Sequence, residues 1–195
     1  MMISSDVVKH LRQLTGSSIG LCKKALEETG GNIEIALALL KKSSEALAGK
    51  KAERITKAGV IETYVHGNRR IGVLLELRCE TDFVARNPEF QALAHNIALH
   101  IAGAAPLYVR HDAVLEEARK EAERLFSEEA AQLKKPKEMT QKIVEGKLEA
   151  HFRDISLLSQ PFVKDPSLTI DGLLQQHIAR FGENITVERF ARFEV

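Results

Sequence analysis

Cysteine is scarce in this sequence: only Cys22 and Cys79 are present, far apart, and neither belongs to a CxxC pair. Two such residues build neither a disulfide framework nor a thiolate zinc site in a chain of 195 residues, so reduced thiols and a cytoplasmic location are expected. Charge of one sign is lacking too. A net charge of +1 removes any global drive toward nucleic acid or an anionic membrane, and neither is expected as a partner. There is no long apolar run, and Asp6, Lys9 and Arg12 interrupt the first segment, so neither a signal peptide nor a membrane span is expected.

Catalytic signatures are also missing. The sequence has no glycine-rich phosphate loop ending in Lys-Ser/Thr, no GxGxxG after a strand, no HExxH and no GxSxG. The histidines are scattered, and most are expected at the surface or half-buried. His95 and His100, five apart, do not share a helical face well enough to hold a metal. The expectation is a protein that acts by binding, without cofactor, metal or catalytic residues.

What is present is a globular mixture, 44% hydrophobic and 28% charged, with room for one ordinary domain and a small module. Residues 4 to 42 read as three short helices. Val7, Val8, Leu11 and Leu14 recur at helical spacing, followed by Ile19, Cys22, Ala25 and Leu26, and then by Ile33, Ala36, Leu37 and Leu40. Thr15-Gly16-Ser17 and Gly30-Gly31 separate them. The basic, Ala- and Ser-rich stretch from Lys41 to Lys57 reads as a linker, partly helical, and a nucleic-acid stripe is the other reading of it. The organisation expected is a three-helix module over 1–44, a basic linker over 45–57 and a main core over 58–195.

From Val60 the period changes to two. Val60 to His66 and Arg70 to Cys79 flank His66-Gly67-Asn68-Arg69, a hairpin turn that displays His66 at its tip. Ile71, Val73, Leu75, Leu77 and Cys79 share a face that must be buried. The helical pattern Phe90, Leu93, Ala94, Ile97, Ala98 and Ile101 suits covering it. Asp112 and Pro136 are expected to open two long helices forming a hairpin. Their stripes are Leu115, Ala118, Ala122, Phe126 and Leu133, then Met139, Ile143, Leu148 and Phe152. Gln160 to Pro166 reads as a loop, Ile170 to Phe181 as a helix ended by Gly182, and Ile185 to Val195 as a final strand. The strand's phase slips between Val187 and Phe190, which a bulge or twist would absorb. The fold class expected is α+β: a three-helix UBA-like bundle, then a three-stranded antiparallel sheet covered by helices, with a long helical hairpin.

The stretch that organises the rest is Cys79-Glu80-Thr81-Asp82-Phe83-Val84-Ala85-Arg86-Asn87. Thr81 or Asp82 can cap a short turn, and Asn87-Pro88 is a second cap. A large aromatic beside a carboxylate in a surface connection has two fates. Phe83 folds back under its own hairpin, or it stands out as a wedge for a partner.

Four segments together resemble the elongation factor Ts family, the exchange factors of elongation factor Tu. They are Thr15-Gly16 with Cys22-Lys23-Lys24-Ala25-Leu26; Tyr64 to Val73; Cys79 to Asn87; and Gln160-Pro161-Phe162-Val163 with Arg192-Phe193-Glu194. The resemblance implies that Asp82 and Phe83 push into the G domain of elongation factor Tu near its magnesium and loosen the ion, with Thr81 and Val84 completing the motif. It implies that His66 contacts the same partner and that Lys9, Arg12 and Ile19 face the G domain. Ser18-Ile19-Gly20-Leu21 stands where the family commonly has Gly-Met-Met-Asp, which leaves one apolar contact at Ile19. Longer members carry the core twice. Short members with one core are homodimers, so a homodimer joined through the core strands is implied, without the cross-subunit cysteine that some carry where Ala191 stands here.

Overall fold

The computed structural model describes residues 3–133 and 135–195, so the first two positions of the expected 1–44 module lie outside it. Helix α1 (Ser5–Thr15) begins where the Ser4 hydroxyl accepts the Val7 amide and ends at Gly16, whose φ of 64° suits glycine. Ser18 caps α2 (Ile19–Glu28) and Asn32 caps α3 (Ile33–Lys51) in the same way. Val8, Leu11, Cys22, Ala25, Leu26, Ala36 and Leu40 close a small core in which Ala and Cys let the helices approach. The third helix does not stop at residue 44. The Ala- and Lys-rich sequence beyond it favours helix, so α3 takes up much of the basic stretch, and Ala48 packs into the main core.

Strand β1 (Ala58–Val65) pairs antiparallel with β2 (Ile71–Cys79), Ala58 opposite Cys79 and Val65 opposite Gly72. After a single helical turn, α4 (Asp82–Ala85), helix α5 (Pro88–Ala104) lies across the sheet. It buries Phe90, Leu93, Ala94, Ile97, Ala98 and Ile101 against Val73, Leu75, Leu77 and Cys79. Helices α6 (Glu116–Ala131) and α7 (Lys137–Ile155) form the expected hairpin, with Lys147 of one helix 2.7 Å from Glu129 of the other. Asp112 does not open α6. His111–Ala113 is a 3-10 turn, and the helix starts at Glu116. Leu115 therefore precedes the first turn and is exposed, as are Leu133 and Met139 near the hairpin tip; Val114, Ala122, Ala130 and Phe152 are the buried positions.

The segment expected as a loop is a second, two-stranded sheet, β3 (Pro161–Phe162) with β4 (Asp165–Thr169). Its prolines sit where a ribbon only two strands wide leaves backbone groups unpaired. Helix α8 (Ile170–Phe181), capped by Thr169, ends at Gly182 with φ 72°. The last strand, β5 (Ile185–Glu194), completes the order β1-β2-β5. Leu75 faces Phe190 while Leu77 faces Val187, so one extra residue bulges at the place where the sequence phase slips. Helices cover one face of this sheet. On the other face Ile61, Val65, Leu74 and Phe193 are exposed at 58%, 64%, 48% and 68%.

Candidate functional site

The motif begins where β2 runs out. Cys79 is buried, and Thr81 rather than Asp82 caps α4, its hydroxyl accepting the Val84 amide at 3.4 Å. A single turn of four residues then sends Val84 and Ala85 inward, 4% and 5% exposed, and leaves Phe83 83% exposed. The ring does not fold back under its hairpin. Asn87 caps the next helix through the Glu89 amide at 2.9 Å, with Pro88 as its first residue.

One turn of helix has almost no stability of its own. Tertiary bonds hold this one. The Glu183 carboxylate accepts the amides of Glu80 and Thr81 at 3.1 and 3.0 Å and the Thr81 hydroxyl at 2.7 Å. In return, Glu80 accepts the Asn184 amide at 2.6 Å and pairs with Arg54 at 3.5 Å. The Asn184 side chain donates to the carbonyls of Ala52 and Arg54 at 3.3 and 2.8 Å, tying in the segment after α3. Cys79 donates its thiol proton to the Thr81 carbonyl at 3.2 Å; burial, and then the nearby Glu183, push that thiol up to about 11 and keep it a donor.

Sequence reasoning missed Glu183 and Asn184. The available signal was Gly182, which ends a helix and leaves two polar residues before an apolar strand. Nothing in that local pattern points to a partner some hundred positions earlier.

His66 lies at the exposed hairpin tip, its Nδ1 3.1 Å from the Tyr64 hydroxyl. The Tyr64 ring meets His95 edge-on at 5.7 Å, and His95 Nδ1 lies 2.9 Å from Glu62. The residue with a left-handed backbone in this turn is Arg69, at φ 58°, not Gly67. His66 and the motif stand at opposite ends of the β1–β2 ribbon, about 23 Å apart by strand rise. The chain therefore does not gather them into one cluster.

Lys9, Arg12 and Ile19 are exposed on the N-terminal module, Lys9 4.0 Å from Asp6 and Ile19 58% exposed beside an open Gly20. That module is tied toward the motif by its far contacts. Lys51 donates to the Gly182 carbonyl at 2.5 Å, and Arg180, packed over Gly16, pairs with Glu89 at the start of α5. Among the described residues no group of three or more His, Cys, Asp or Glu side chains could hold a metal ion, and no helix is long and apolar enough to cross a membrane. The arrangement is a solvent-exposed acid and ring on a pinned turn, which is suited to insertion into another molecule.

Residues 4–195 match the family model described as elongation factor Ts. The chain is 46% identical over 194 residues to elongation factor Ts of Carboxydothermus hydrogenoformans, covering 100% of this chain and 89% of that protein. It is 48% identical over 196 residues to the protein of the same name from Thermotoga petrophila, with coverage of 100% and 97%. To that of Heliobacterium modesticaldum it is 43% identical over 194 residues, with coverage of 100% and 90%.

Proposed function

The chain belongs to the elongation factor Ts family, and from that premise we propose that it promotes GDP release from elongation factor Tu during translation elongation, acting by binding rather than by catalysis. A G protein grips GDP through its phosphates and a magnesium ion. A factor that binds better when ion and nucleotide are absent must weaken both in return. Phe83 supplies that difference by filling an apolar pocket in the distorted G domain, while Asp82 displaces groups that order the magnesium shell. Thr81 and Val84 shape and anchor the turn that delivers them. His66, Lys9, Arg12 and Ile19 make secondary contacts with the same partner, and the factor works in the cytoplasm as a homodimer.

The observation that carries this reading is the exposure of Phe83, 83% bare on a turn whose next two residues are buried. An uncovered ring on a fixed support loses nothing of its own fold on truncation. Phe83→Ala is therefore expected to keep the wild-type unfolding midpoint and to slow stimulated release of a fluorescent GDP by about thirtyfold or more, the effect of losing a buried aromatic anchor. Stopped-flow release from elongation factor Tu measures it. A rate equal to wild type removes Phe83 from the mechanism.

A further inference from the structure

We propose that Glu183 is the positioning residue of the exchange motif, acting through Thr81 on the orientation of Asp82 and Phe83; the inference rests on the wedge reading above. Three donors of the 79–87 stretch converge on this one carboxylate: the Glu80 amide, the Thr81 amide and the Thr81 hydroxyl. The hydroxyl is used twice, donating to Glu183 Oε1 and accepting the Val84 amide that starts the turn carrying Phe83. Whatever sets the rotamer of Thr81 thus sets the first turn of α4.

Glu183 is itself fixed on its own side. It follows the left-handed Gly182, whose carbonyl takes the Lys51 ammonium, and it precedes Asn184, whose amide binds Glu80. The two carboxylates cross, each accepting the other strand's backbone, so the end of α8 and the start of the motif are locked in register. Four residues of helix cannot hold themselves in one orientation. Without Glu183 the turn still exposes Phe83, yet the ring must be ordered at the moment of insertion, and that ordering falls on the release step.

Glu183→Gln keeps the shape and replaces one acceptor oxygen by a donor. At saturating factor it is expected to slow GDP release by about tenfold, with the half-saturating concentration changed far less. In a Phe83→Ala background the same change is expected to cost clearly less, about threefold or under, because only Asp82 is left to position. Amide exchange at Glu80 and Thr81 should rise in Glu183→Gln while β2 keeps its protection. Glu183→Asp, which retains the charge one methylene short, should recover part of the rate, and it replaces the Gln variant should that fail to fold.

Equal slowing by Glu183→Gln in both backgrounds assigns Glu183 a general structural role and overturns the proposal, as does an unchanged saturating rate. If Phe83→Ala slows release and Glu183→Gln does not, only this inference falls. If Phe83→Ala itself has no effect, the wedge reading falls first.

Discussion

His100 carries a titration that the fold has to accommodate. Most histidines are exposed or half-buried, as expected, but its ring is fully buried. Nε2 donates to the Gln160 side-chain oxygen at 2.9 Å, and Nδ1 accepts the Val163 amide at 3.3 Å, which fixes the neutral tautomer. Gln160 passes its own protons to the carbonyls of Asp154 and Ala104, so one uncharged network joins α5, the end of α7 and the β3–β4 ribbon. Burial lowers the His100 pKa below its ordinary 6.5, and burial likewise lowers that of His177, whose Nδ1 bonds the Leu173 carbonyl. The unfolded chain then takes up protons that the folded chain refuses. Stability is full above pH 6.5 and falls as pH drops below it toward the folded pKa, by up to about 1.4 kcal/mol per pH unit for each ring. Urea unfolding between pH 7.5 and 5.5 should show this loss, and His100→Asn should remove part of the slope. A slope that survives unchanged in that variant would take His100 out of the linkage.

Among the elements, the β1–β2 ribbon sets the geometry on which the motif stands, and Gly59 sets how closely its strands approach near the motif end. A Cβ there would lie 2.3 Å from the Leu77 carbonyl oxygen and 2.9 Å from the Arg78 Cα, both backbone atoms that cannot turn aside. Gly59→Ala is expected to destabilise the protein by about 1–3 kcal/mol, the range of forced overpacking. Gly146→Ala, in the middle of α7 with nothing within 4 Å, should stabilise by about 0.5–1 kcal/mol. Chemical unfolding of both measures the contrast, and equal effects would refute the close approach. Regular patterns of this kind are readable in the sequence: the alternation of β2, the cap pair Asn87-Pro88 and the stop at Gly182 each follow from local chemistry. Three features are not. The β3–β4 ribbon hid behind Pro161 and Pro166, since prolines on an exposed ribbon look like those of a loop. The start of α6 falls later than the sequence suggests because Asp112, a residue type suited to capping, lies inside a 3-10 turn that has no side-chain cap. Glu183 escaped because a carboxylate that binds amides a hundred residues away leaves no period in the sequence.

At the scale of the whole molecule the open face of the sheet dominates. Helices bury one side; on the other, Ile61, Val65, Leu74 and Phe193 face water, with the small Ala191 opposite Leu74. Glu76 crosses this face between Arg78 and Arg189 at 2.6 and 2.7 Å, and the bonds from Arg189 and then Arg78 hold its carboxyl below the usual range. An antiparallel sheet can leave one side solvated when that side is polar, but a contiguous apolar set on it calls for a cover. In the homodimer proposed above, a second copy of the chain offers the same set, and a two-fold axis through the face would let the apolar rows meet, with Ala191 permitting close approach. Leu74→Asp places an unpaired charge in the middle of that contact, and the dimer dissociation constant is expected to rise on the order of a hundredfold or more. Sedimentation equilibrium should give twice the chain mass for wild type and the single chain mass for Leu74→Asp at the same concentration. The variant should keep its circular dichroism, because residue 74 points away from the helices that form the core. A wild-type protein that sediments as one chain would leave the face uncovered and overturn the homodimer; a variant that stays dimeric would move the contact elsewhere on the surface.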